Sequence, residues 1–403
     1  MLILYTIISK LILYLLIKLA YFDSEENYNI LIFFLSFSCF GFPKFESEKR
    51  FYDKQLNIEL KEASFLLEDL KINKELEIKL LHGVEKSVTN DYYSNKFNAL
   101  LVQYYTLTGQ MEKCYSIFVK EIARKNIDSK LSYILLLSEF YDLFNAISYT
   151  DYKSPILNRI QFVNEHLKGD EKKYVESILL LKKSLSFNKK NINVSRDALQ
   201  KSIGILDELS DILTKEDYLI AKTKTYNFLA ITYLEHVVEG NLKENDENRI
   251  NHAISVFKQS LRFNEGKSAF STFIVYNNLA YVYNVKGDFN ESLNYSFKAK
   301  ELIKNADSSV SLNAKLYCNM TDSYSLKLDE GNLQKYYPIC INRLEKVKRK
   351  DETLLKLINQ NKININPEIK FVKPNKIGEK LLIFFAFIAI VSSLYWFNKK
   401  AKK

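Results

Sequence analysis

Four histidines and four cysteines are the residues best suited to chemistry in this chain of 403 residues. A hydrolytic metal centre would need histidines at helix spacing, as in His-Glu-x-x-His, because two imidazoles one turn apart aim at one ion. His82, His166, His236 and His252 stand far apart, and no such motif occurs. There is no Gly-x-Ser-x-Gly, no glycine-lysine phosphate loop and no Gly-x-Gly-x-x-Gly. Carboxylate pairs such as Asp246-Glu247 lie in polar stretches, where solvation accounts for them. We therefore expect no catalytic residues, no cofactor, no metal and no small-molecule substrate. Cys114, Cys318 and Cys340 sit at helical positions and read as small buried hydrophobes. A Cys318–Cys340 disulfide is conceivable, and spacing alone does not decide it. Cys39 follows the small Ser38, as a lipid-modified cysteine would, but bulky Phe37 does not suit that box.

The elements that carry these residues are helices. Glycine occurs 10 times and proline 5 times, too few to turn the many strands of a sheet protein. Apolar residues recur at three and four, as in Phe65, Leu66, Leu70 and then Leu76, Leu80, Leu81. The same period runs through Leu199, Ile203, Leu206 and Leu209. The net charge of +10 is not gathered into a stripe. Lysine is interleaved with glutamate, as in Lys71-Ile72-Asn73-Lys74-Glu75, so no nucleic-acid partner is expected.

Residues 381–397, LLIFFAFIAIVSSLYWF, contain no charge. At roughly 1.5 Å per residue such a helix nearly matches a hydrocarbon core of about 30 Å. Tyr395 and Trp396 close it where interfacial aromatics belong, and Lys399, Lys400, Lys402 and Lys403 follow. The expectation is one transmembrane helix with a basic tail at 398–403. Residues 1–43 are also hydrophobic, with apolar runs at 1–22 and 30–42. Two readings of this region stand: an export signal, whose start would lie near Asn27, or a membrane-inserted hairpin. Lysines on either side of the C-terminal span balance, so charge does not set its orientation.

Between 44 and 350 a phrase returns: Gly109-Gln110-Met111, Gly240-Asn241-Leu242, Gly287-Asp288-Phe289 and Gly331-Asn332-Leu333. Glycine there fits a left-handed cap ending one helix, with a polar residue opening the next. Before two of these turns stand Tyr226, Leu229-Ala230, Tyr233 and Tyr276, Leu279-Ala280, Tyr283. That spacing places one stripe of knobs on one helix face, with alanine admitting a close partner. Ala253, Phe257 and Ser260, and then Ser292 and Ala299, follow the turns.

These residues resemble the tetratricopeptide repeat (TPR) family, with 272–305 the best unit, 222–263 next, and 95–126 and 313–346 weaker. The chain departs from that pattern in lacking the proline at repeat ends and in its longer spacing, 50 residues from Tyr226 to Tyr276 and 41 from there to Tyr317. The resemblance implies an all-α, helix-pair solenoid whose first helices line a concave groove. Carried over position by position, the groove would present Lys224, Asn227, Asn277, Tyr281, Asn284, Lys315 and Asp322. Asparagine there could pair with the backbone of an extended peptide, and lysine could meet a carboxylate.

The expected organisation is a hydrophobic region at 1–43, a TPR-like repeat domain at 44–350, a Lys-rich juxtamembrane linker at 351–380, the span at 381–397 and the tail. The layout also resembles the repeat-plus-single-span part of bacterial membrane-bound regulators of the LuxR type, without their helix-turn-helix. Two functions follow as expectations. One is a membrane-anchored scaffold or sensory domain that binds a protein or peptide. The other is a signalling or transcription-control component whose output is missing or supplied by a partner. The repeats are expected to face outward from the cytoplasm, with the cytoplasmic face as the alternative.

Overall fold

The computed structural model describes residues 52–371 apart from 148, 188–190, 236, 238–244, 265–267, 305–308, 362, 364 and 366–368. The apolar runs 1–22, 30–42 and 381–397, with Cys39, His236 and the Gly240 turn, lie outside the described residues. Among the described residues no helix is long and apolar enough to cross a membrane.

The chain is all-α. Among the described residues fourteen helices follow one another as seven consecutive pairs. They are α1 (Lys54–Glu68) and α2 (Lys74–Lys86), α3 (Asp91–Thr108) and α4 (Met111–Ile122), and α5 (Lys130–Ala146) and α6 (Thr150–Glu165). Then come α7 (Gly169–Phe187) and α8 (Ile192–Glu208), α9 (Lys215–Leu234) and α10 (Asp246–Asn264), and α11 (Ala269–Lys286) and α12 (Phe289–Leu302). The last pair is α13 (Val310–Leu326) and α14 (Glu330–Gln360). Helix α14 thus runs ten residues past the boundary expected at 350. Two short strands, β1 (Asn126–Ile127) and β2 (Lys370–Phe371), form a parallel bridge.

Local sequence sets the helix ends. Asp53, Asn73, Thr214, Ser268, Asp288 and Asp329 each accept a backbone N–H of the first turn of the helix that follows. Gly109 and Gly287 take the left-handed conformation at φ 79° and 85°, as the recurring phrase predicts. The fourth glycine of that phrase behaves differently. Gly331 lies inside the first turn of α14, and Leu328 takes the left-handed position at φ 58°. Asp329 then caps α14 through Asn332, so the turn falls three residues before Gly331 and the glycine cap expected there is corrected. Gly83, within α2, faces the ring of Phe97, and a methyl group there would overlap it.

Aromatic residues repeat in three dimensions as well as in sequence. Tyr276 and Tyr283 of α11 both pack on Tyr295 of α12, at 5.8 and 5.5 Å between ring centroids. Tyr317 and Tyr324 of α13 pack on Tyr336 of α14 in the same way, at 6.1 and 5.4 Å. The upper pair of rings is nearly parallel in both units, 9° and 8°. Leu279-Ala280, Leu229-Ala230, Ala253, Phe257, Ser260, Ser292 and Ala299 are buried, as the repeat pattern requires.

The first helix of each pair forms an inner layer: α1–α3, α3–α5, α5–α7, α9–α11 and α11–α13 are all in contact. That layer does not stay open along one side. Helix α1 packs on α11, α3 on α13 and α4 on α14, so the two ends of the array meet. The hydroxyl of Ser268, at the start of α11, donates to the carboxylate of Glu68 at the end of α1. These contacts help to bury α3 and α11 almost all round, whereas an outer helix such as α4 keeps a polar face.

Cys318 of α13 and Cys340 of α14 are joined by a disulfide, with Cα atoms 4.9 Å apart. Both side chains are buried, as expected, but two of the three read as small hydrophobes are in fact cross-linked. Closing a loop of this size restricts the unfolded chain by about 3 kcal/mol. Cys318→Ser should therefore lose about that much stability in urea denaturation. Dithiothreitol should lower the wild-type midpoint to the same extent and leave the variant unmoved. An unchanged midpoint in the variant would show that the bridge contributes nothing.

Candidate functional site

The seven residues expected to line an open groove fall on α9, α11 and α13, and the inner layer accounts for them. Asn227, Asn277 and Asn284 are fully buried. The amide of Asn278 donates to Asn227 Oδ1 at 2.9 Å. Asn319 Nδ2 donates to the carbonyl of Asn277 at 2.9 Å and to its side-chain oxygen at 3.0 Å. Asn284 Nδ2 in turn donates to the carbonyl of Asn319, and Ser323 Oγ to Asn284 Oδ1. Of the three, only the Asn284 side chain reads backbone, that of Asn319 on the neighbouring inner helix; Asn227 and Asn277 accept from the side-chain amides of Asn278 and Asn319. As lining of an open groove these three are corrected: they stitch α9, α11 and α13 together.

Lys224, Tyr281 and Asp322 are half-buried. Lys224 meets a carboxylate within the chain, its Nζ 3.7 Å from Asp142 Oδ2 on α5. Lys315 is 8% exposed, and burial pushes its ammonium down to about 7. It too is corrected as an exposed groove cation.

The same seam continues through the first half of the array. Asn95 Nδ2 of α3 donates to Ser132 Oγ of α5 at 2.9 Å. Asp142 of α5 forms an ion pair with Lys182 of α7, with side chains 9% and 1% exposed. Burial drives the Lys182 ammonium below its usual range, and Asp142 opposes the shift. Glu139, Lys182 and Lys224 border a cavity of about 40 Å³ closed on its apolar side by Leu135, Tyr174 and Ile178. That is room for a few waters rather than for an organic ligand. Among the described residues no group of histidine, cysteine, aspartate and glutamate could hold a metal ion.

A second arrangement lies on the second helices α4 and α6, away from that seam. Past α14, Asn361, Ile363, Ile365 and Ile369–Phe371 lie back against the body. Tyr115 Oη of α4 donates to the carbonyl of Asn361 at 2.9 Å. The backbone N–H of Ile363 donates to Tyr152 Oη of α6 at 3.0 Å. Ile365 and Ile369 are buried, and Ile363 and Phe371 pack against the core. Lys370 and Phe371 then pair with Asn126 and Ile127. The Phe371 ring stacks on Phe162 at 6.1 Å, touches His166 at 4.6 Å and lies under Lys130 Nζ at 4.8 Å.

What holds this surface in shape can be followed residue by residue. Tyr152 stands in a cluster with Phe118, Phe144 and Tyr149, at centroid distances of 5.4, 5.1 and 5.2 Å. Burial, with the Tyr152 hydroxyl nearby, raises the Tyr115 pKa far above neutrality, so its proton stays available for donation. Arg159 of α6 is buried and its guanidinium donates to the carbonyls of Ile122 and Arg124 at 2.7 and 2.8 Å. It thereby caps α4 and fixes the turn that presents β1. Asp91 Oδ2 accepts the N–H of Asp128 at 2.9 Å on the other side of that strand.

Sequence reasoning missed both arrangements, though each left a signal. Asp142 and Glu139 interrupt the run Leu135-Leu136-Leu137 to Phe144, and a carboxylate inside an apolar helix asks for a buried cation. Ile363, Ile365, Ile369 and Phe371 alternate with Lys362, Asn364, Glu368 and Lys370, the period of a half-buried strand. The lysines nearby drew that stretch into the expected linker at 351–380.

Compared with models of known families, with curated proteins and with solved structures, the chain matches none.

Proposed function

We propose that this chain is a TPR-like helical-repeat scaffold or sensory domain that binds extended protein segments, held at a membrane by residues 381–397. The single observation that carries the reading is the docking of Asn361, Ile363 and Phe371 against the body. Two tyrosine hydroxyls bond main-chain groups and an aromatic pocket takes Phe371, which is how a peptide is recognised in extended form. The paired tyrosine units at 41-residue spacing support the repeat assignment. The inner seam supplies rigidity, and the surface on α4 and α6 supplies recognition.

The test is selection of short random peptides on the immobilised repeat body. Enrichment of extended sequences with recurring apolar spacing, binding with Kd below about 100 µM, would support the reading. Failure to enrich any sequence over a blank matrix would overturn it.

We place the body on the extracytoplasmic side. The Cys318–Cys340 disulfide supports this, because such bridges persist in oxidising compartments. Proteinase added to intact spheroplasts should digest the body without lysis. Protection until lysis would place it in the cytoplasm instead. A sensory role is favoured over a passive anchor by position: the docked segment leads towards residues 381–397, so what happens on α4 and α6 is close in sequence to the expected span.

A further inference from the structure

We propose that residues 361–371 are a built-in, displaceable occupant of the surface formed by Tyr115, Tyr152, Phe162, His166, Lys130 and the β1 edge. The proposed partner is an extended segment of another protein with apolar residues at alternate positions and an aromatic residue pairing beside Ile127. This rests on the peptide-binding reading and names the surface and the ligand class.

The chemistry of the occupant defines the chemistry of the partner. The tyrosine hydroxyls bond main-chain groups of Asn361 and Ile363, which any sequence offers. Selectivity comes from the positions facing the protein, Ile363, Ile365, Ile369 and Phe371, each two residues or a multiple of two from the next. Lys130 over the Phe371 ring favours an aromatic residue there over an aliphatic one. The bridge to β1 is parallel, so it fixes the direction in which a partner segment would run.

Two features make the occupant exchangeable. Four apolar side chains anchor it, while ordering the backbone that carries them costs conformational entropy. These terms are of similar size and opposite sign, so docking in cis is favoured by a modest factor. The surface, by contrast, is supported without it: the aromatic cluster around Tyr152 and the Arg159 cap belong wholly to α4, α5 and α6. A surface already formed binds an incoming segment without reorganisation. A segment tethered in cis competes at a high effective concentration, so it lowers apparent affinity in trans by the fraction of time it is docked.

The experiment uses the full chain in detergent and a fluorescent peptide with the sequence of residues 362–373. Phe371→Asn, which loosens the cis segment, should bind the peptide at least ten times more tightly than wild type. Adding Tyr152→Phe to that variant should weaken binding again while leaving its circular dichroism unchanged. A peptide of the same composition with its apolar residues made adjacent should not compete. Equal affinity of wild type and Phe371→Asn, or equal competition by the rearranged peptide, would overturn the proposal. So would a wild-type dimer in which the segment cross-links to α6 of a second copy. Should Phe371→Asn lose its helical signal, Ile369→Ala serves in its place with the same expected direction. If the opened variants bind no such peptide while the random selection yields binders, this inference fails and the scaffold reading stands. If neither yields binding, both fail.

Discussion

Asp142→Ala should lower the stability of the fold by about 3–5 kcal/mol. Asp142 Oδ2 pairs with Lys182, whose side chain is 1% exposed, and Lys224 Nζ stands 3.7 Å from the same oxygen. Removing the carboxylate leaves two ammonium groups beside one small cavity, with Glu139 on its wall. Lys182 is held below its ordinary range by burial already, and without Asp142 it would lose its proton or pull water inward. Urea denaturation followed by circular dichroism measures the loss. The double variant Asp142→Leu, Lys182→Met should recover most of it, since an apolar pair of similar volume carries no desolvation cost. The exposed pair Lys173–Glu208 supplies the contrast, because solvent screens it and breaking it should leave the denaturation midpoint almost unmoved. A loss below about 1 kcal/mol in Asp142→Ala would mean that water already solvates the pair.

Lys315→Met should do the opposite, raising stability at pH 7 by about 2–4 kcal/mol. Burial pushes the Lys315 ammonium from 10.5 down to about 7 in the folded chain. The folded state therefore holds this proton more weakly than the unfolded state does. Above about pH 10.5 neither state carries the charge and the lysine costs nothing. As the pH falls towards 7 the unfolded chain gains the proton first, so the fold loses stability through that window; below 7 the loss is constant. The advantage of methionine should accordingly be full at pH 7 and shrink towards zero near pH 10. An advantage that stays level across that range would show that Lys315 is charged and well solvated in the fold.

Helix type and pairing were legible in the chain because they depend on local terms. The three-and-four spacing, the caps at Asp53 and Asn73 and the left-handed Gly109 and Gly287 are decided within a few residues of each other. So was the aromatic repeat, since Tyr276 and Tyr283 differ from Tyr317 and Tyr324 only by a shift along the chain. What could not be read was the meeting of α1 with α11 and of α3 with α13. The long-range contacts concerned have no periodicity of their own, and they decide whether an inner face is a groove or an interior. Asn227, Asn277 and Asn284 illustrate the result: their amides do make the hydrogen bonds expected of asparagine, but to neighbouring inner helices, two of them through other asparagine side chains and only Asn284 to backbone. The segment at 361–371 escaped notice because only its alternation marks it, and four apolar residues are a short record beside the lysines around them.

The junction between the two ends of the array also bears on how the chain is made. An open repeat array can grow from its first unit as it leaves the ribosome, because each unit needs only its neighbour. Here α3 and α4 find part of their burial on α13 and α14, encoded more than two hundred residues later. At roughly 5–20 residues per second the early helices wait on the order of tens of seconds for those partners. During that interval the flanks of α3 and α4 that α13 and α14 cover are exposed, and a chaperone becomes part of the folding route rather than a safeguard. Once joined, the ends remove the frayed terminus from which repeat arrays ordinarily unzip. Slow assembly and cooperative loss are thus two results of the same joint.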